Sequence, residues 1–290
     1  MNYLILQTEN GKYFARRIGA ELVKLGHHYR RYSCFSINKA FAKYPEWNPE
    51  NLIIHSRAAN PTANWMKILK RYESSGYKVI NSTNCLIHTS DKFQSSIDLR
   101  DIGNLPRTID IDLREIKQSE LDLIKQLFNA NKWVFKTRYS LGNGKNVHLI
   151  NNYDELNIEN LRRLSNGVSD RWILQEFIPF IDKLFRVFVI GGKALPYVTF
   201  DKKEHRNWKL STCLNPNQKP DFSPNPKLLK FAEKIQEKIK GEINFIDVFM
   251  LEHGELVLSE VNTACNLKYH EEILQKNIAK EIAKYLVERI

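Results

Sequence analysis

The chain is poor in cysteine: Cys34, Cys85, Cys213 and Cys265 stand far apart, with no CxxC pair among them. That spacing argues against a zinc site and a disulfide framework, and it fits a reducing, cytoplasmic setting. No apolar run approaches the roughly 18–20 residues that a membrane-crossing helix needs. The opening MNYLILQTENGKYF lacks a basic leader, a long apolar stretch and a small-residue cleavage site, so it reads as a first β-strand rather than a secretory signal. No G-x-G-x-x-G follows that strand. TENGKYFA stands there instead, which excludes a Rossmann dehydrogenase. Internal repeats, low-complexity segments and a basic tail are also missing.

What is present is the composition of a globular protein, 42% hydrophobic and 27% charged over 290 residues, enough for one large domain or two to three small ones. The net charge of +11 favours anionic partners such as nucleotides, acidic proteins or nucleic acid. The lysines and arginines are scattered, as expected of solvated helix faces together with a phosphate pocket.

Three regions follow one another. In the first, residues 2–8 read as a strand, 12–25 as an amphipathic helix ended by Gly26, 51–56 as a strand, 63–76 as a helix and 77–82 as a strand. This alternation predicts a small parallel α/β unit. The second begins with a helix in SDKFQSSIDLRDIG, with Ser90 as N-cap and Gly103 near its end. After the extended LPRTID come helix 119–131, strand KWVFKT (132–137), the Gly-containing loop RYSLGNGKN, strand VHLI (147–150), helix 154–165 and strand WILQEF (172–177). In the third, FRVFVIGGKALPYVTF turns at Gly191-Gly192. A polar loop (201–226), helix 226–240, a hairpin and a closing helix over 271–288 complete the chain.

That last hairpin, FMLEHGELVLSEVN (249–262), carries the chemistry. A two-residue turn at His253-Gly254 sets Glu252 opposite Glu255, Phe249 opposite Leu258 and Asp247 opposite Glu260. Opposed residues have Cβ atoms about 4.5–5.5 Å apart, where like charges repel. Two carboxylates so placed need a cation or a shared proton. Asn262, two residues beyond Glu260, shares its face. Three hard oxygen donors suit Mg²⁺, whose shell is completed by water and phosphate. A structural ion pair with a lysine accounts for the acids equally well at this stage. Lys136, ending a rigid strand beside a loop with Gly142 and Gly144, suits phosphate binding. The exit of WILQEF offers backbone groups to an adenine edge.

The ordered set DK (91–92), VFK (134–136), a Gly loop, LQEFI (174–178), FRVFVIGGK (185–193), ID (246–247) and SEVN (259–262) resembles the ATP-grasp superfamily, and within it the RimK-type carboxylate–amine ligases. The resemblance spans roughly residues 75–290. It implies an α/β (α+β) ATP-grasp fold: a pre-ATP-grasp α/β domain over 1–88, a central subdomain over 89–180 and a C-terminal subdomain over 181–290. It implies that Lys92 and Lys136 bind phosphates, that the backbone of Gln175, Glu176, Phe177 and Ile178 reads adenine, and that Arg186 steadies the γ-phosphate and acyl-phosphate. Asp247, Glu260 and Asn262 match the Mg²⁺ ligands, with Glu260 bridging two ions and Mn²⁺ as a substitute ion. The chain departs from the pattern at Leu184, where members carry an acid: either Asp182 replaces it or the ribose is held differently. It departs again in NWKLS, where Lys209 takes an arginine's place, and in NTACNLKYH, which lacks a Pro-Gly turn.

The implied reaction activates a carboxylate with ATP and joins it to an amine, releasing ADP and phosphate. The expected substrates are a peptide or protein carboxylate, acidic in character, and an amino acid. No membrane is involved, nucleic acid is a disfavoured partner, and the reading leaves room for a homo-oligomer. The competing readings are a precursor-peptide macrocyclising or small-metabolite ligase of the same chemistry, and a non-catalytic ATP-grasp binding module.

Overall fold

A computed structural model describes residues 1–8, 12–57, 63–128, 130–139, 146–195, 197–201, 219–221, 225–263 and 267–290. Its first elements are β1 (Asn2–Gln7), α1 (Lys12–Lys24), β2 (His28–Ser33), α2 (Ile37–Lys43), β3 (Leu52–Ser56), α3 (Asn64–Ser74), β4 (Lys78–Ile80) and α4 (Thr83–Ser90). The strands form a parallel sheet in the order β2-β1-β3-β4. β1 and β3 are buried almost throughout, as parallel strands covered on both faces must be, and their apolar runs announced them. β2, HYRRYS, has no apolar periodicity because it is a charged, partly exposed edge.

The next stretch holds α5 (Lys92–Asp98), β5 (Thr108–Asp112), α6 (Gln118–Leu127), β6 (Trp133–Thr137), β7 (Val147–Ile150), α7 (Ile158–Ser165) and β8 (Arg171–Glu176). Asp91, not Ser90, caps α5: its carboxylate accepts from the amides of Phe93 and Gln94, both at 3.1 Å. Ser90 instead donates back into α4, to the Ile87 carbonyl at 3.0 Å. α7 starts at 158 rather than 154 because the Asn157 side chain caps it. The sheet runs β5-β8-β6-β7, antiparallel throughout. One face, with Trp133, Phe135, Trp172 and Leu174, shares a core with Leu121 of α6 and Leu161 of α7. The Phe135 and Trp172 rings stack at 4.3 Å. The opposite face carries Val134, Lys136, Ile173 and Gln175, paired across β6 and β8.

The remainder comprises β9 (Ile181–Ile190), β10 (Lys193–Ala194), β11 (Tyr197–Asp201), β12 (Lys219–Asp221), α8 (Pro226–Lys238), β13 (Ile243–Leu251), β14 (Leu256–Asn262), α9 (Leu267–Leu274) and α10 (Ile278–Val287). The expected closing helix is two helices: Gln275, at φ +50°, ends the first, and the Asn277 side chain caps the second. The sheet order is β12-β11-β9-β13-β14, with β10 on β9. One face (Phe185, Val187, Ile246, Val248) packs on Leu228, Ala232 and Ile235 of α8. The other (Leu184, Phe188, Phe245) shares a core with α10 and with Tyr3, Ile5 and Ile53 of the first sheet. Asn81, just past β4, ties the two together. Its Oδ1 accepts from Glu242 and Ile243 N–H at 2.8 and 2.7 Å, and its Nδ2 donates to the Ile243 carbonyl at 2.8 Å.

Gly191 and Gly192 make the expected two-residue turn, with φ of +59° and +82°. A Cβ on Gly191 would lie 2.4 Å from the Tyr285 ring. Gly191→Ala is therefore expected to destabilise the fold by about 1–3 kcal/mol through backbone strain and overpacking. Urea unfolding with an unchanged midpoint would show that the turn tolerates the side chain.

Candidate active site

The β13–β14 hairpin brings the acids together by a route the sequence did not reveal. Its loop is three residues, Glu252–Gly254, rather than two. Leu251 N–H donates to the Glu255 carbonyl at 2.9 Å, Gly254 N–H to the Leu251 carbonyl at 2.8 Å, and Gly254 sits at φ +85°. The expected pairings near the turn are thus displaced by one: Phe249 faces Val257, and Leu258 faces Val248. A β-bulge between Asp247 and Val248 then absorbs Ser259 as an extra residue and sets Asp247 opposite Glu260. Without the bulge, Ser259 would oppose Asp247 and Glu260 would turn to the other face.

On the other side of β13, β9 places Arg186 opposite Asp247. Arg186, Asp247 and Glu260 therefore lie in a row across three neighbouring strands. The Arg186 guanidinium grips Asp247 with two hydrogen bonds, Nε to Oδ1 at 2.7 Å and Nη2 to Oδ2 at 2.5 Å. Both side chains are buried, 7% and 9% exposed. The alternative of an ion pair is thus realised, but with an arginine. Glu260 is 29% exposed and lies 3.7 Å from the Lys92 ammonium. The Asn262 side chain hydrogen-bonds its carboxylate.

Burial pushes the Asp247 carboxyl up, with the Arg186 charge and hydrogen bonds opposing and Glu260 reinforcing it. Burial also acts to raise Glu260, but Lys92, Lys136, Arg186 and the Asn262 amide outweigh it and hold Glu260 below the usual carboxylate range. Burial lowers the Lys136 ammonium to about 8; Glu260 opposes that shift and Lys92 adds to it. Two lysines thus converge on one carboxylate. Lys92, Lys136, Gln175, Ser259 and Glu260 line a single cleft between the β5-β8-β6-β7 sheet and β14.

The other candidates are placed as follows. Gln175 lies on the cleft face and donates from Nε2 to Thr108 Oγ1 at 2.9 Å. Glu176 lies on the opposite face, its carboxylate held by Arg107 at 2.9 and 3.1 Å. The amides of Glu176 and Phe177 donate to the carbonyls of Arg107 and Lys132. Ile178 continues the chain toward β9, half-buried. Asp182 is the extra residue of a bulge in β9 opposite Met250 and Leu251, and Leu184 is core, 2% exposed. Gly142, Gly144 and Lys209 lie outside the described residues, as does most of the 201–226 loop. Sequence reasoning missed Ser259 and also Arg138, whose signal was a basic residue two positions past Lys136.

Among the described residues, no cluster of three or more His, Cys, Asp or Glu could hold a metal. The set here is two carboxylates and an amide. Each carboxylate oxygen that accepts one hydrogen bond retains a further lone pair, so Asp247 can ligate while paired with Arg186. A hard dication that keeps several waters fits this donor set.

The RimK-like ATP-grasp domain family matches residues 89–286. The coenzyme γ-F420-2:α-L-glutamate ligase of Methanococcus maripaludis is 27% identical over 255 residues, covering 83% of this chain and 85% of that protein. The α-aminoadipate–LysW ligase LysX of Sulfurisphaera tokodaii is 25% identical over 225 residues, covering 76% and 73%. Among solved structures, the macrocyclase MdnC from Microcystis aeruginosa, bound with its precursor peptide MdnA, superposes with a TM-score of 0.70 at 14% identity, covering 99% of this chain and all of that one. The chain belongs to the RimK-like ATP-grasp family, ATP-dependent carboxylate–amine ligases that form C–N bonds.

Proposed function

We propose that this ligase joins an amino acid to the carboxylate of a peptide or protein through an acyl-phosphate. The observation that carries the reading is the row Arg186–Asp247–Glu260 across three neighbouring strands, ending on Glu260 in the cleft that Lys92 and Lys136 line. A carboxylate oxygen attacks the γ-phosphorus of ATP, and the bond to ADP breaks. The amine then attacks the acyl carbon, phosphate leaves with the C–O electrons, and the amine proton passes to phosphate or water. Lys92 and Lys136 hold the phosphates as fixed cations. Arg186, braced by Asp247, presents its remaining N–H groups to the phosphoryl group in flight. Asp247, Glu260 and Asn262 would hold Mg²⁺, which would neutralise charge on the phosphates.

Two observations support an amino acid and an acidic acceptor. Two of the curated relatives are each named for an amino acid and a second substrate, LysW or coenzyme γ-F420-2. The net charge of +11 suits an anionic acceptor. The test incubates the protein with Mg-ATP, pooled amino acids and cell-extract peptides. A mass increase of one amino acid residue on a peptide or protein, dependent on ATP, is the expected result. Amide formation only on free small molecules would overturn the acceptor assignment. In a calorimetric titration with ATP, Lys136→Ala is expected to raise the Kd by at least about tenfold, the scale of a lost charge-assisted contact. An unchanged Kd would remove Lys136 from the phosphate site.

A further inference from the structure

Arg138 leaves β6 two residues beyond Lys136, half-buried, and reaches into an alternating ladder of charge. It holds Asp91 with Nε at 2.8 and 3.0 Å and Nη2 at 2.6 Å, and Asp110 with Nη1 at 2.7 Å. Arg171 shares Asp110 and reaches Asp112, which Arg114 also holds. Arg114 also reaches Asp170 at 3.6 Å, so acids and guanidiniums alternate along the whole ladder. The ladder ends on Asp91, the N-cap of α5, immediately before Lys92. The backbone repeats the link: Lys92 N–H donates to the Arg138 carbonyl at 3.1 Å, and Asp91 forms a β-bridge with Tyr139.

We propose that Arg138 is a positioning residue for the nucleotide, occupying Asp91 so that the Lys92 ammonium stays directed to Glu260 and the cleft. The proposal rests on the phosphate role assigned to Lys92. The physical reason is competition. Asp91 is a buried carboxylate, its side chain 9% exposed, adjacent in sequence to the lysine. Without a guanidinium on it, the lysine next to it in the chain, Lys92, is a cation it can draw in, and a buried carboxylate without a cation strongly favours capturing one. Arg138 satisfies that carboxylate with a fork that a single ammonium cannot reproduce. It thereby fixes the start of α5 against the strand that carries Lys136, so both lysines face one cleft.

The test measures ATP affinity by calorimetry for Lys92→Ala, Arg138→Gln, Arg138→Lys and the double variant Asp91→Asn/Arg138→Gln, with thermal unfolding alongside. Asn caps a helix about as well as Asp, so the double variant keeps α5 while removing the competing charge. Arg138→Gln is expected to bind ATP about tenfold more weakly, the scale of one charge-assisted contact. Arg138→Lys should fall between it and wild type, and the double variant should recover to within about threefold of wild type, the scale of the neutral contacts still altered. A purely structural role for Arg138 predicts no such recovery. Wild-type affinity in both Arg138 variants, or a double variant no better than Arg138→Gln, overturns the proposal while Lys92→Ala still weakens binding. Unchanged affinity in Lys92→Ala removes the phosphate assignment, and the proposal falls with it.

Discussion

Glu260→Gln is expected to lower turnover by about a hundred- to a thousandfold, the scale of losing one electrostatic element of a transition state, while the protein stays folded. Gln matches the shape of Glu and keeps a side-chain oxygen for Asn262. It removes the charge that two lysines converge on and that faces Asp247 across the hairpin. Losing one of two opposed carboxylates relieves like-charge repulsion, but the cations that hold Glu260 below the usual carboxylate range lose their partner, so the melting temperature should fall modestly. Metal-free nucleotide should bind the variant more tightly, because Lys92 and Lys136 no longer share their charge with an acid. Metal-dependent turnover should be what is lost. A Glu260→Gln protein with full ligase activity would remove Glu260 from the metal site.

Arg186→Ala is expected to cost about 3–5 kcal/mol of stability, the usual penalty for removing one partner of a buried ion pair. Asp247 would then stand almost fully buried with its guanidinium gone and Glu260 as its nearest charge. Turnover should fall as well, but a stability measurement separates the two effects. The double variant Arg186→Ala/Asp247→Ala should recover part of the stability, since no unpaired charge remains. Urea unfolding in which the single variant matches wild type would show that the Arg186–Asp247 pair contributes no net stability.

These two residues also show what the sequence could and could not disclose. The parallel strands β1 and β3, the Gly191-Gly192 turn and the apolar hairpin were legible because burial and turn geometry impose local patterns. The edge strand β2 was not, because a charged, half-exposed strand carries no period of its own. The opposition of Asp247 and Glu260 was read from a two-residue turn that does not exist. A three-residue loop and the Ser259 bulge offset each other and return the same pair. The Arg186–Asp247 pair was beyond reach, since β9 and β13 are neighbours only through tertiary pairing. Asp91 offered a weak local signal: an acid directly before a helix is a better cap than the serine before it when its oxygens reach two amides. Its clamp, Arg138, lies 47 residues on and appears only when the sheets are assembled.

The measurement that bears most directly on the central claim is the identity of the nucleotide product when the protein turns over with Mg²⁺, a carboxylate acceptor and an amine. On the proposed assignment of Lys92, Lys136 and the Arg186–Asp247–Glu260 row to the γ-phosphoryl group, ADP and phosphate are expected, formed in equal amounts with the new amide. AMP and pyrophosphate would mean attack at the α-phosphorus and would contradict the acyl-phosphate account.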